Sequence, residues 1–244
     1  METIEIKDNE GKLLYSYTCE NNSISKTLKQ ANLKNINLAE ANLSRVRIEN
    51  VELTNLNLSE ANFEGSIFSN IKISNSSLYC ANLNYTTIIN SYFYDTSFYR
   101  ARFIISKIKN SIFEKCNLFR TVFWEASLVN SQFECEHLQD INFAATLFQN
   151  VNYRGNIIKD THNVAYIGNI GSRHSCTTVF NTNKGIFVSC GCFFGTLKEF
   201  KERVLITHKD NPKYKKEYLD MINYVQKRFK PKFSLKSIFK YERK

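Results

Sequence analysis

One apolar residue recurs at every fifth position along more than half of the chain. The series of Leu, Ile, Phe and Tyr begins at Leu28 and runs unbroken to Ile158, which gives 27 consecutive centres. A second residue, mostly small or β-branched, precedes each centre by two positions, as Ala41 and Val46 do. A helix repeats every 3.6 residues and a strand every two, so the period predicts neither. It predicts a chain that turns a corner every five residues and closes a square coil in twenty.

Several repeats share a further signature. Ala-Asn-Leu stands at 31–33, 41–43 and 81–83, and Ala-Asn-Phe stands at 61–63. These segments resemble the A-(D/N)-L-x-x signature of the pentapeptide-repeat family. The resemblance implies a mainly β fold, a right-handed quadrilateral β-helix of about seven coils over residues 26–160, followed by a small α+β module. Coils would stack at the strand spacing of ~4.8 Å, with residues twenty apart directly over one another.

The two ends of the chain depart from the period. Residues 1–25 predict a hairpin that turns near residues 9–11, followed by a capping helix from Ser23 to Ala31. Residues 161–244 predict a basic α+β module with strands at 164–168, 176–181 and 186–190. Helices are predicted to begin at the capping box of Thr196 and at the Asn211-Pro212 pair. The stretch 170–218 resembles a small module at the end of some phage proteins, and this resemblance implies no activity.

Charge and cysteine use narrow the functional classes. Residues 1–25 carry a net charge of −3, residues 26–160 of +2 and residues 161–244 of +11. Some pentapeptide-repeat proteins protect DNA topoisomerases by resembling B-DNA, and a near-neutral solenoid does not suit that role. Seven scattered cysteines are typical of a reducing compartment, so we expect a cytoplasmic location, in the host cell if the protein is phage-encoded. No signal peptide or apolar run near twenty residues is visible.

An aromatic and basic cluster stands out among the outward positions of the coils. These residues form the predicted partner-binding site: Tyr79, Tyr99, Arg100, Phe119, Arg120 and Trp124. The first aromatics follow inward centres at intervals of twenty, and two arginines stand beside them. Aromatics with arginine are typical of binding hot spots. An aromatic ladder that only stabilises the β-helix is the alternative.

A second candidate site lies in the C-terminal third. A guanidinium, hydroxyls and free N–H groups at a helix start predict an anion-binding pocket, formed by Ser172, Arg173, Thr177, Thr178, Gly195 and Thr196. An ordinary turn and capped helix are the alternative. The residues His174, Cys176, Cys190 and Cys192 have a poor spacing for zinc and suit core packing as well, so no metal or cofactor is predicted. Activation of Cys192 as a nucleophile has little support.

Two further features are anomalous. Glu136 falls on an inward small-residue position, where an unpaired carboxylate is costly, so a local bulge or a contact with the C-terminal module is expected. The basic tail at residues 227–244 contains many aromatic and aliphatic residues. It is interpreted as a solvated end, a patch for nucleic acid or anionic lipid, or a docking helix.

These observations predict a non-enzymatic interaction protein of phage or prophage origin. It would bind and modulate a host protein, such as a DNA-handling or defence component, through the β-helix surface and the C-terminal module. The alternative is a binding module for a nucleotide or nucleic acid within residues 161–244. The sequence contains no convincing combination of base, nucleophile and oxyanion donors. It leaves the oligomeric state open, with a homodimer as one option.

Overall fold

A parallel β-solenoid forms the centre of the molecule. The computed structural model describes residues 1–135, 137–172 and 175–230. Two series of strands lie on two sides of the solenoid, and each pairs in parallel with the strand twenty residues away. An N-terminal hairpin, β1 (Glu2–Lys7) and β2 (Leu13–Cys19), precedes the solenoid. The solenoid strands are β3 (Arg47–Glu49), β4 (Glu52–Thr54), β5 (Ile67–Ser69), β6 (Lys72–Ser74), β7 (Thr87–Ile89), β8 (Tyr92–Tyr94), β9 (Lys107–Lys109), β10 (Ile112–Glu114), β11 (Ser127–Val129), β12 (Gln132–Glu134) and β13 (Leu147–Tyr153).

The five-residue period sets the side-chain directions, as predicted. Each centre from Leu38 to Ile158 points inward and is buried, and Phe93, Phe113 and Phe133 stack at centroid distances of 4.8 and 5.0 Å. From Glu40 to Asn130 the fifth residue of each side turns the corner with a positive φ, which asparagine tolerates well. Asparagines at one corner bond to one another along the solenoid, as the 3.1 Å contact from Asn110 Nδ2 to Asn90 Oδ1 shows.

The solenoid has about five turns among the described residues, fewer than the seven coils that the period suggests. One pairing series, for example, runs from Asn42 to Asn142 in five steps of twenty residues. The first centres lie instead on α1 (Ile24–Leu33), which Ser23 caps through a 3.2 Å bond from the Lys26 amide. Helical geometry buries Leu28 and leaves Leu33 68% exposed. The structure thus has a hairpin and a helix before the first coil, and the first centres of the period belong to that helix.

A small α+β region follows the last coil. Strand β14 (Asn156–Asp160) pairs antiparallel with β13, and a short 3₁₀ turn (Thr161–Asn163) leads into a four-stranded antiparallel sheet. That sheet comprises β15 (Val164–Ile170), β16 (Ser175–Thr182), β17 (Gly185–Cys190) and β18 (Phe193–Thr196), and two helices, α2 (Leu197–Thr207) and α3 (Pro212–Arg228), pack on it. Strand β18 was not predicted. No helix in the described part of the chain is long and apolar enough to cross a membrane.

The sheet closes the open end of the solenoid. Phe180 belongs to the same buried cluster as the solenoid centres, and its ring lies 4.9 Å from that of Tyr153. The opposite sheet face packs on the helices, where Val179 joins Phe200 and Ile222 in a second core. A terminal coil otherwise exposes its apolar cross-section, so this module acts as a cap.

The irregularity expected at Glu136 involves its neighbour. Glu136 itself lies outside the described residues. Cys135 is 3% exposed, and its thiol donates to the Phe113 carbonyl at 3.3 Å. Inward residues of earlier coils, such as Cys116, make the equivalent bond to a carbonyl 23 residues back, whereas Cys135 reaches 22 back. Cys135 therefore makes the inward contact that the period assigns to position 136.

Candidate interaction surface

The predicted aromatics form a continuous stack on one side of the solenoid. The aromatic row, as we call Tyr79, Tyr99 and Phe119, has centroid distances of 5.5 Å at both steps and interplanar angles of 6° and 26°. Backbone bonds hold this spacing, including the 2.9 Å bond from the Cys80 amide to the Tyr99 carbonyl. The three rings are partly exposed. The predicted juxtaposition is therefore present, and it serves both as a ladder and as an accessible surface.

Two arginines extend the aromatic row to the next corner. The Arg100 guanidinium carbon lies 5.3 Å from the Tyr99 ring centroid, and that of Arg120 lies 5.2 Å from the Phe119 centroid. Such cation–π contacts contribute roughly 0.5–1 kcal/mol at exposed sites and orient the guanidinium group. Arg120 also approaches Asp140, with Nε and Oδ2 3.8 Å apart. Both arginines are exposed, so their N–H groups remain accessible to a partner.

Beyond this corner, the next side carries an apolar patch that sequence reasoning identified only in part. Trp124 is 44% exposed, and the Ile105 amide donates to its carbonyl at 3.0 Å. Tyr85 is 53% and Ile105 39% exposed, while the Tyr85 amide donates to the Ile104 carbonyl at 2.9 Å. We call Tyr85, Ile104, Ile105 and Trp124 the apolar patch. The patch could have been predicted from the sequence, because all four residues occupy outward or corner positions of three consecutive coils.

A polar groove runs along the other border of the aromatic row. It has a volume of about 800 Å³ and follows the corner that precedes the row. Small residues, Ser77 and Ser97, lie between the larger Asn57 and Asn117 in one outward column. The groove was not predicted from the sequence. It could have been predicted from the pair of serines, because small side chains in a column of larger ones leave a depression.

The phenol of Tyr79 stays protonated at neutral pH. Its hydrogen bond with Cys80 raises the pKa of the Tyr79 phenol above its ordinary value. Cys80 occupies the corner that Arg100 and Arg120 occupy in later coils. The aromatic row therefore begins with a neutral donor and continues into a positively charged corner, which suits a partner with acceptors and carboxylates.

The structure does not assemble the predicted anion pocket around free donors. Thr177 and Thr178 are buried, at 0% and 3% exposure, and the Thr177 hydroxyl donates to Cys190 Sγ at 3.1 Å. Both threonines are buried because β16 lies inside the sheet, with the solenoid end on one face and the helices on the other. Arg173 lies outside the described residues, so its place in this prediction is untested.

Carboxylates already accept hydrogen bonds from the predicted donor Thr196 and from Gly171, which precedes Ser172. The Thr196 amide donates to Glu199 Oε2 at 2.7 Å, and the Glu199 amide donates to Thr196 Oγ1 at 3.3 Å, which completes a capping box. The bond from the Thr196 amide, with a second one from the Thr196 hydroxyl at 2.8 Å, lowers the pKa of the Glu199 carboxyl, which stabilises its charged form beside Gly195. The Gly171 amide donates to Glu217 at 2.9 Å, and Ser172 lines a separate cleft of about 260 Å³. Anion binding remains a prediction that this geometry does not favour.

The cysteines of the C-terminal region have other contacts. Among the described residues, no cluster of three or more His, Cys, Asp and Glu side chains is placed to hold a metal ion. Cys176 Sγ lies 2.8 Å from the Tyr166 hydroxyl, on the strand pair that packs against the solenoid. His174 lies outside the described residues, as does the tail from residue 231 onward.

Comparison with known proteins supports the repeat. Residues 31–70 match the family model for pentapeptide repeats, in eight copies. The match begins on α1 and extends into the solenoid, and it supports the resemblance drawn from the Ala-Asn-Leu segments. No curated protein matches the chain.

Solved pentapeptide-repeat structures overlap with part of the chain. Rfr23 from the cyanobacterium Cyanothece 51142 is 22% identical, with 42% of this chain and 60% of that chain covered and a TM-score of 0.29. HetL from Nostoc sp. strain PCC 7120, involved in heterocyst differentiation regulation, is 17% identical, with 51% and 65% covered and a TM-score of 0.25. QnrB1, a plasmid-mediated fluoroquinolone resistance protein, is 14% identical, with 46% and 71% covered and a TM-score of 0.20. The chain thus spans 60% of the length of Rfr23 and 65% of the length of HetL.

Proposed function

We propose that this protein is a non-enzymatic binding scaffold that recognises a partner protein through the solenoid surface. The observation that carries the proposal is the continuity of the aromatic row, the Arg100–Arg120 corner and Trp124 across two adjoining sides. Stacked rings held by backbone bonds lose little entropy on binding, and aromatics with arginine dominate interface energetics. The rigid solenoid supplies a preorganised surface.

The proposed origin, kind of partner and cellular location are supported by other observations. The bacteriophage origin comes from the resemblance of residues 170–218 to a module of some phage proteins. The modulation of a host protein, such as a DNA-handling or defence component, comes from the resemblance to the pentapeptide-repeat class. The cytoplasmic location comes from the scattered cysteines. The net charge of +11 in residues 161–244 supports a contribution of that module to partner binding.

The alternative, a module for a nucleotide or nucleic acid in residues 161–244, receives less support. The amide of the predicted donor Thr196 already bonds to Glu199, and the amide of Gly171, next to the predicted Ser172, bonds to Glu217. A phosphate would have to displace a carboxylate at each point or meet its negative charge. We therefore favour the solenoid surface as the principal binding site.

Affinity capture from a host lysate, followed by quantitative mass spectrometry, tests the proposal. The Tyr99→Ala/Arg100→Ala variant and a separate Trp124→Ala variant should each bind the same captured protein about thirtyfold more weakly, since hot-spot truncations cost ~2 kcal/mol or more. Ile112→Ala is the matched control, because Ile112 is 37% exposed on a different side of the solenoid. Equal capture by all variants, with unchanged thermal unfolding, would contradict the proposed site.

A further inference from the structure

The basic charge of the solenoid is concentrated in one coil. Residues 96–115 carry five basic and one acidic residue, a net charge of +4. Each of the other twenty-residue coils, 36–55, 56–75, 76–95, 116–135 and 136–155, carries a net charge of −1. The near-neutral total of the solenoid therefore hides a positive belt between negative neighbours, and a belt of this kind attracts a localised negative group.

All five basic side chains of the belt are exposed: Arg100, Arg102, Lys107, Lys109 and Lys115. Lys115 donates a hydrogen bond to the Tyr94 hydroxyl at 2.7 Å. Across the described ranges, no salt bridge joins any of these basic side chains to an acidic residue. Elsewhere on the solenoid, Arg47 pairs with Glu49 at 2.7 Å and Lys72 with Glu52 at 2.6 Å. Arg120 of the next coil also approaches an acidic residue, Asp140, so the basic residues of the belt differ from Arg47, Lys72 and Arg120 in having no described salt bridge.

The belt is continuous with the apolar patch. Arg102 pairs through its backbone with Asn82 and Val122, so it lies between the Arg100 corner and Ile104 on the same side of the coil. Ile104 and Ile105 follow at once, with Trp124 one coil further on. A short surface thus offers two guanidinium groups beside aliphatic and indole side chains. Arginine forks bind carboxylates in a bidentate geometry, and an apolar side chain fits against the patch.

From this juxtaposition we infer that the partner presents an acidic segment with an apolar anchor. Its carboxylates pair with Arg100 and Arg102, and an adjacent aliphatic or aromatic side chain packs on Ile104 and Trp124. This inference rests on the proposed function and names the chemistry of the partner. An extended polyanion such as nucleic acid suits the surface less well, because it would also meet the net negative coils on either side of the belt.

Selection from a display library of random dodecapeptides tests the inference and does not require the natural partner to be identified first. Peptides retained by the full chain should be enriched in Asp or Glu next to Leu, Ile, Phe or Trp. Arg100→Gln/Arg102→Gln should weaken binding of the best peptide by about tenfold or more, mostly through slower association, and the effect should diminish at high salt. Arg45→Gln is the control, because Arg45 is an exposed corner arginine in a coil with a net charge of −1.

Several outcomes overturn the inference. These are the absence of acidic enrichment, retention of the same peptides by Arg100→Gln/Arg102→Gln, or an equal loss with Arg45→Gln. Tighter binding of a single-stranded oligodeoxynucleotide than of any selected peptide would assign the belt to nucleic acid instead. If Trp124→Ala still captures less of the partner protein from the lysate, the proposed function is supported even when one of these outcomes overturns the inference. The failures of the two proposals are therefore distinguishable.

Discussion

Tyr153 of the last solenoid coil packs against Phe180 of the C-terminal sheet, with ring centroids 4.9 Å apart and a 34° angle between the planes. Both rings are almost fully buried, and Phe143 and Phe148 each place an edge toward Phe180 at 6.2 Å. Burial of this kind raises the pKa of the Tyr153 phenol, so the ring stays neutral. The solenoid and the α+β region therefore share a core at this point, and the stability of each depends on the other.

Phe180→Ala should reduce the free energy of unfolding by ~3–5 kcal/mol, because the substitution removes a buried ring and leaves a cavity between the two parts. Urea unfolding monitored by circular dichroism measures this loss. Ile206→Ala on α2 is the control, since Ile206 is 72% exposed and its truncation should change stability by less than about 0.5 kcal/mol. A loss below about 1 kcal/mol for Phe180→Ala would show that the contact does not couple the two parts.

The corner asparagines have both a conformational and a hydrogen-bonding role. Asn90 has φ +51°, donates to Asn70 and accepts from Asn110. Asn90→Gly should lose only the amide bonds, whereas Asn90→Ala should also incur the cost of a left-handed conformation, ~1–2 kcal/mol. Alanine should therefore be more destabilising than glycine in urea unfolding, although it is the better helix and strand residue elsewhere. The opposite order would refute the conformational argument.

Much of the fold follows from local pattern alone. Inward and outward positions of the solenoid are fixed by the five-residue period, because each coil contacts only its neighbours. The five-residue period did not predict that Leu33 lies on a helix, because Leu28 and Leu33 both fit the repeat although both belong to α1. Strand β18 was missed because its glycine-flanked Phe-Phe pair resembles a loop, and only its pairing with β17 defines it.

The candidate surface was predictable where it depended on the repeat. Tyr79 and Tyr99 had to stack once the coil length was twenty residues. Tyr85 and Ile105 were missed because they lie at corners, outside the column of aromatics that recurs every twenty residues. Thr177 and Thr178 appeared accessible in sequence, yet the four-stranded sheet is covered on both faces. That burial depends on long-range packing, which residue types at a given spacing do not encode.

The two inward cysteines near the solenoid end should resist alkylation. A hydrogen bond with Cys116, together with burial, raises the pKa of the Cys135 thiol, so it stays protonated and a poor nucleophile at pH 8. Cys192 is exposed and should be modified first by iodoacetamide. Peptide mass spectrometry after a native pulse, and again in urea, separates the two classes. Modification of Cys135 at the rate of Cys192 in the native protein would exclude the buried placement.

The Tyr92 hydroxyl should titrate late and affect stability only at high pH. It donates to Glu114 Oε2 at 2.7 Å, and this bond raises the pKa of Tyr92 to about 12. An unfolded phenol titrates near pH ~10, so the native state holds the proton more tightly between about pH 10 and 12. The resulting stabilisation is fully present below pH ~10 and is lost as the pH rises through the native pKa.

Ultraviolet phenolate absorbance across an alkaline titration measures this pKa, with Tyr92→Phe to assign the signal by subtraction. Glu114→Ala should return the pKa of Tyr92 toward about 10, because the carboxylate acceptor is lost. In urea unfolding between about pH 10 and 12, the unsubstituted protein should lose stability relative to Tyr92→Phe. An unchanged pKa in Glu114→Ala would mean that burial, rather than the carboxylate one coil away, controls this phenol.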